Sequence, residues 1–400
     1  MLEATTRPLD GVRVLDLSNL LAGPMTTMFL ADFGADVIKV EHPEHGDELR
    51  GWGHSKDDVG LYFKVLNRNK RLVSLNLSRT RGRELAAELA AGCDVVVEAF
   101  RPGTMARWGL DYATLSERNP GLIMAHISGY GQTGPLSHRP GFGTIAEAFS
   151  GFAAITGYED APLLPPFGLA DASTAIFTAF GIVLALRQRD RTGDGQELDA
   201  ALYEGLFTLL GPHVIDYDQL GIVARREGSR LAFVSPRNTF QTADGEWIAI
   251  AGSTQATFER LARGFGRGHL IDDPRFATNR RRMEHAEELE AELGEAIAAA
   301  PLEEVLRILD EAAAPGGPVL DAAGIFAHPH YAARENIVTL EDEELRQVRM
   351  QAVAPRLSRS PGCIEHPGRQ RGADNAAVYG DLLGLSAAEL EALRADGVIS

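Results

Sequence analysis

The sequence predicts an α/β protein, with a doubly wound parallel sheet in a large domain and a smaller α+β domain beside it. Three observations lead there. Short β-branched runs alternate with helical stretches from Val12 to about residue 130, glycines and prolines mark the helix starts and stops, and from Arg225 the chain changes to one hairpin followed by Ala/Glu/Leu-rich helices. A chain of 400 residues also exceeds what one hydrophobic core usually supports, so two folding units are expected.

The elements follow in order. Val12 to Leu17 reads as a strand, Pro24 suits the first position of a helix running to Phe33, Gly34 stops it, and Val37 to Val40 is the next strand. The βαβ grammar recurs in Leu72 to Leu77, a helix around Arg83 to Leu89, Val95 to Val97, and Leu122 to Ile127. A long apolar helix begins near Asp171; a Gly/Asp turn at Thr192 to Gln196, a strand at Glu197 to Asp199 and a helix from Ala200 to Leu210 close this Rossmann-like part. Later, Asn238 to Ala251 reads as a strand pair divided at Ala243-Asp244-Gly245, and Ser386 caps a last helix, Ala387 to Arg394, expected to dock on the first domain.

Composition narrows the function. An apolar share of 44% marks a globular chain, and a net charge of -17 spread along it argues against nucleic acid or an anionic membrane as partner. A small anion remains possible wherever Lys and Arg cluster. Cys93 and Cys363 form no CxxC pair and no zinc-like cluster with histidines, so no metal site is expected. Met1 to Pro8 carries Glu3 and Arg7 and lacks a signal-peptide core, which predicts a cytoplasmic protein. The longest apolar run, Ala172 to Leu186, spans about 15 residues against the roughly 20 a bilayer needs, and reads as a buried helix.

Gly129, Gly131 and Gly134 make a literal GxGxxG after a strand, yet Pro135 and Pro140 follow where a dinucleotide site requires a helix, so NAD is not expected. The loop remains a ligand-site candidate at a strand's carboxyl end. Asp171 precedes an apolar helix, which fits an ordinary Asp N-cap; it equally fits a nucleophilic carboxylate kept ionised by the helix dipole, and the two readings are compatible. Lys39 with His42, Lys70 with Arg71, and Arg101 with Arg107 around Phe100 were each expected at carboxyl ends of strands, where an open α/β sheet holds its ligand and where several phosphates could be met. His126, alone inside a strand, reads as structural. No GxSxG, HExxH or P-loop motif occurs.

Pro8 to Asp16 (PLDGVRVLD), Ala22-Gly23-Pro24 and Leu30 to Glu41 (LADFGADVIKVE) resemble the opening of class III CoA-transferases of the CaiB/BaiF type. The resemblance continues through Asn67 to Arg71, Phe100 to Gly103, Ser128 to Gly131, Pro140 to Phe142, the Asp171 segment and Gly317 to Val319. It implies a large CoA-binding domain over 1–205 and 330–400, a small domain over 225–325, linkers at 206–224 and 326–329, and two subunits interlocked as a homodimer. It implies CoA as co-substrate across the strand ends, met by His42, Lys70, Arg71, Phe100, Arg107 and Tyr130, with the amides of Leu20, Leu21 and Ala22 receiving oxyanions. Asp171 stands at the family's nucleophile position. The implied reaction passes from an acyl-CoA donor, such as a dicarboxylic acyl-CoA, through an Asp171 anhydride and an aspartyl-CoA thioester to an acceptor acid.

Two departures bear on specificity. The formyl-CoA:oxalate members have a glutamine near Leu21 and a glycine-rich loop in the small domain, both missing here, so oxalate is not the expected acceptor. The α-methylacyl-CoA racemases use a Gly-His-Asp motif where this chain has Gly141-Phe142-Gly143, which argues against proton exchange. A non-catalytic CoA-ester binding protein is the third reading, opposed by retention of Asp171. Glu147, at helical spacing from Gly143, is expected to meet substrate or an arginine.

Overall fold

Strands buried on both faces need near-continuous apolar runs, and the first two hundred residues supply them. The computed structural model describes residues 7–400; the first six, on which part of the leader expectation rests, lie outside the described residues. Its main sheet has six strands: β1 (Arg13–Asp16), β2 (Asp36–Glu41), β3 (Lys70–Ser74), β4 (Val95–Glu98), β5 (Ile123–Ser128) and β6 (Gln196–Ala201). They lie in the order β3-β2-β1-β4-β5-β6, each neighbouring pair parallel. The order reverses direction between β1 and β4, so the loops leaving these two strands diverge and open a crevice at their carboxyl ends.

Alternation along the strands sorts side chains to two cores. Leu15, Ile38, Val73 and Val96 face one side, covered by helix α2 (Thr80–Ala91) through Leu85 and Leu89 and by the C-terminal helix Ala387–Ala395 through Leu390 and Leu393. Val14, Val37, Val95 and Ile123 face the other, covered by α1 (Ala22–Asp32) and by the long α4 (Leu169–Thr192), whose Ala170, Ile182 and Ala185 enter that core. Between these lies the short α3 (Gly143–Phe149), and α5 (Leu202–Thr208) follows β6.

Element boundaries shift in three instructive places. Helix α1 starts at Ala22, so Pro24 is its third residue, where a missing N–H still forfeits no bond. Strand β3 starts at Lys70, two residues before its apolar run, because Lys70 and Arg71 pair in register with Val37 and Ile38 of β2. Helix α4 is 24 residues long, ending at Gly193 with φ +84°, so by length and composition it could cross a membrane. Its packing into the sheet's core, not shortness, is what marks it as a helix of the fold.

The chain packs as two compact units, one of Met1–Phe152, Pro165–Gly211 and Ala332–Ser400, the other of Ala153–Leu164 and Pro212–Tyr331. The second unit holds an antiparallel sheet of β7 (Arg237–Gln241), β8 (Trp247–Ala251) and β9 (Gly316–Pro318). Phe240, Ile248 and Ile250 pack there on Leu261, Ile297 and Val305 from its helices.

Candidate active site

At the reversal point of the main sheet lies a cavity of about 340 Å³, within the first unit. Its walls come from the loop after β1 (Leu20, Leu21), from Phe100 and Arg101 after β4, from Gly129 after β5, and from Asp171. A larger cavity of about 940 Å³ sits in the second unit. Two of its three arginines are already engaged: Arg226 donates to the Tyr158 and Glu159 carbonyls, and Arg230 pairs with Glu290 at 2.8 Å. The smaller one holds Asp171 and the loops leaving the strand ends, and is the candidate site.

Asp171 is not the cap of α4. Gly168 holds that position without a side-chain bond, and Asp171 lies in the first turn as its acidic residue. Two glycines make room for its carboxylate: a Cβ at Gly143 would come 2.0 Å from Asp171 Oδ2, and one at Gly168 would come 3.0 Å from it. Glu147, from α3, is buried and neither meets an arginine nor opens to the cavity. Its Oε1 accepts the amides of Leu169 at 3.1 Å and Ala170 at 3.4 Å, taking the place a cap would have. Burial first, and then the charge of Glu147, push Asp171 from an ordinary carboxylate value of 3.8 up to about 6, against a backbone hydrogen bond that lowers it. Tyr62, in the helix Leu61–Leu66, has its phenol pushed up by burial and by the charge of Asp171. Sequence reasoning missed Tyr62; a tyrosine in a short helix carries no pattern that would single it out.

Facing Asp171 across the cavity wall is the start of α1. The Leu20 amide, one of the three expected oxyanion donors, is taken: it donates to Asp47 Oδ1 at 3.0 Å. Leu21, the N-cap of α1, and Ala22 and Gly23 in its first turn have amides with no acceptor in the described chain, and all three residues line the cavity. The open amides thus lie one residue further along than the expected set. Leu20 adopts φ +66°, a left-handed conformation that costs a leucine on the order of 1–3 kcal/mol and must be held by its surroundings.

The basic residues divide sharply. Lys70 is fully buried and lies 3.1 Å from Asp16, also donating to the Pro24 carbonyl; Arg71 forks onto Asp36. Both start β3 instead of ending it, and both charges are already neutralised, Arg71 by Asp36 at the start of β2 and Lys70, buried, by Asp16 at the end of β1, so neither is free to meet a CoA phosphate as expected. Lys39 is likewise buried, 2.9 Å from Asp47. Arg107 is exposed on the helix Thr104–Trp108, its guanidinium donating to Thr104, and Arg101 is exposed on the cavity wall. Phe100 lines the cavity, its amide held by Glu98 at 2.7 Å and its ring edge-on to Trp108. His42 sits just past β2, stacked on His45, and burial followed by the His45 charge lowers its pKa. The Tyr130 ring packs edge-on to Phe149 and is not among the residues lining the cavity.

The remaining motifs resolve simply. No helix opens at Gly134; Gly129 instead passes Gly141 so closely that a Cβ on it would come 2.6 Å from the Gly141 Cα. His126 is buried, 2.6 Å from Glu98; burial, which alone would lower its pKa, is outweighed by that partner. Among the described residues no group of His, Cys, Asp and Glu could hold a metal ion.

A six-stranded parallel sheet in this order, with a cleft at its reversal and a half-buried carboxylate beside open helix amides, defines a Rossmann-like α/β protein. Residues 9–375 match the family described as CoA-transferase family III. The chain is 42% identical over 399 residues to the succinyl-CoA–D-citramalate CoA-transferase of Chloroflexus aurantiacus, covering 98% of each. It is 33% identical to the succinyl-CoA:glutarate CoA-transferase of Mus musculus, covering 98% of this chain and 90% of that one. A crystal structure of a CaiB/BaiF family protein from Brucella suis superposes with a TM-score of 0.83 at 33% identity, over 94% of this chain and all of the other. The protein belongs to CoA-transferase family III, and is an enzyme of the transferase class.

Proposed function

We propose that the enzyme moves CoA from a dicarboxylic acyl-CoA, succinyl-CoA foremost, to a carboxylic acid acceptor, with Asp171 as the covalent carrier. The observation that carries this reading is a half-buried Asp171 carboxylate sharing one cavity with the open amides of Leu21, Ala22 and Gly23. The activities for which the relatives are named support the donor, and the missing His-Asp pair at Phe142 and Gly143 counsels against a racemase.

In the reaction, an Asp171 oxygen attacks the thioester carbonyl, the C–S bond breaks, and CoA leaves as thiolate with Asp171 in a mixed anhydride. The thiolate attacks the Asp171 carbonyl and expels the donor acid, leaving an aspartyl-CoA thioester. The acceptor carboxylate attacks that carbonyl, forming a second anhydride and freeing the thiolate. The thiolate then attacks the acceptor's acyl carbon, which yields the new acyl-CoA and restores the Asp171 carboxylate. Each addition places negative charge on a carbonyl oxygen, the charge that the first-turn amides of α1 and its dipole are suited to receive. CoA itself would run past Phe100, His42 and Arg107 at the strand ends.

Two chains would form the interlocked homodimer. Ile176, Phe177, Phe180 and Leu184 leave one face of α4 exposed in the single chain, an apolar patch of the kind a subunit interface covers. The enzyme would act in the cytoplasm, consistent with two free cysteines, Cys93 and Cys363.

The test mixes acyl-CoA donors with mono- and dicarboxylic acids and follows new CoA esters by chromatography. Exchange by the native enzyme and none by Asp171→Ala is the expected result; equal exchange by both removes Asp171 from the mechanism.

A further inference from the structure

Beneath the cavity lies a buried ionic group that the acyl-transfer steps do not use. Lys39 and Asp47, both with fully buried side chains, stand 2.9 Å apart. Neither faces the cavity. Each grips the loop that leads from β1 into α1 instead: Lys39 donates to the Ser18 carbonyl, and Asp47 Oδ1 accepts the Leu20 amide at 3.0 Å. Asp47 is itself fixed, since its own amide donates to Glu41 Oε2 at 2.9 Å and its Oδ1 also accepts the Leu49 amide at 2.9 Å. Glu41 in turn is held by Arg50 at 2.7 Å.

The loop between these grips contains the left-handed Leu20. A leucine leaves that conformation readily unless its neighbours forbid it, because its Cβ crowds the following carbonyl there. Once Leu20 relaxed to a negative φ, the peptide planes after it would turn, and the amides of Leu21, Ala22 and Gly23 would no longer share their present aim. The loop has little room to compensate: a Cβ on Gly23 would come 2.1 Å from Ser18 Oγ, so the two ends of the turn already touch. A buried ion pair is seldom worth more to stability than an apolar pair of the same size, which makes a role in geometry the more economical account of this one.

We infer that Asp47, locked by Lys39, is a positioning residue for acyl transfer: by holding the Leu20 amide it keeps the first-turn amides of α1 directed at the Asp171 cavity. The inference rests on the function proposed above. It concerns transition-state charge, so its loss should lower kcat and leave binding of the CoA ester nearly unchanged.

Removing Asp47 alone would strand the Lys39 charge and could unfold the chain, so the test uses two double variants in the full-length enzyme. Lys39→Met with Asp47→Asn retains an oxygen for the Leu20 amide; Lys39→Met with Asp47→Leu has the same size and no acceptor. The expected result is a kcat at least about 100-fold lower in the leucine variant than in the asparagine variant, the size of effect seen when one oxyanion donor is lost, with KM for the acyl-CoA within about threefold. Equal kcat values overturn the inference. So does a loss confined to KM, or one that follows the folded fraction measured by circular dichroism. Chemical trapping of the covalent intermediate is run alongside on the native enzyme: label on Asp171 with equal kcat values sinks the positioning role alone, whereas label elsewhere sinks the proposed function and this inference with it.

Discussion

Replacing Asp171 with asparagine should make the folded protein more stable at neutral pH while abolishing transfer. A carboxylate whose pKa rises on folding is one the fold would prefer protonated. Asp171 goes from 3.8 to about 6, chiefly through burial and then through Glu147. Above pH 6 it is ionised in both folded and unfolded chains, and the folded state carries the full penalty: about 2 pH units at about 1.4 kcal/mol each, or about 3 kcal/mol. Between pH 6 and 3.8 the folded chain binds the proton first and the penalty fades; below 3.8 it is gone. Asn is isosteric and never ionises. Its gain should approach 3 kcal/mol at pH 8 and shrink toward zero as pH falls through 6 to below 4. Urea denaturation of both proteins across that range, with the first unit followed by near-ultraviolet circular dichroism, measures it. A variant less stable than the native enzyme at pH 8, or a gain that does not change with pH, would refute the account of Asp171 as an ionised group held against its preference.

The same charge relation reaches the kinetics. Transfer should lose its nucleophile along an acid limb of kcat/KM centred near pH 6, and Glu147→Gln, which keeps an oxygen for the Leu169 amide, should move that limb to lower pH; an unmoved limb would separate Glu147 from the nucleophile. Lys70→Met leaves Asp16 buried without its nearest cation and should cost about 3–5 kcal/mol of stability, with KM for the acyl-CoA within about threefold; a tenfold rise in KM at unchanged stability would return Lys70 to the CoA site.

The fold was largely legible because its strands and helices are written in periodicity. Val14 and Leu15 face opposite cores, as a strand buried on both sides requires, and Gly34 and Gly193 end their helices with φ of +104° and +84°. Periodicity says less about where a strand starts when its first residues are charged. Lys70 and Arg71 precede an apolar run and so read as loop, yet backbone pairing to Val37 and Ile38 draws them into β3. That two-residue difference changes their meaning: Arg71 meets Asp36 at the start of β2, and Lys70, reaching along the sheet to Asp16, is neutralised in the interior instead of open to a ligand.

The site was legible as a segment and not as a geometry. Asp171 could be named from the residues around it, but what surrounds its carboxylate arrives from distant positions: Gly143 and Glu147 from α3, Leu21 from the turn before α1, Tyr62 from a separate short helix. Glu147 shows why spacing alone misleads. Its helical distance from Gly143 points to substrate or an arginine as its partner, the natural ones to expect for a carboxylate. The partner is instead the open end of another helix, and this changes its chemistry. An acid paired with arginine would leave Asp171 unaffected; an acid resting on the amides that begin α4 competes with Asp171 for the same dipole. Glycine at 143 and 168 is the counterpart in shape, because any Cβ at 143 would occupy the space of Asp171 Oδ2. Charge from one side and the room left by glycine on the other give a half-buried carboxylate raised to about 6, a combination that a capping aspartate at the helix end would not have.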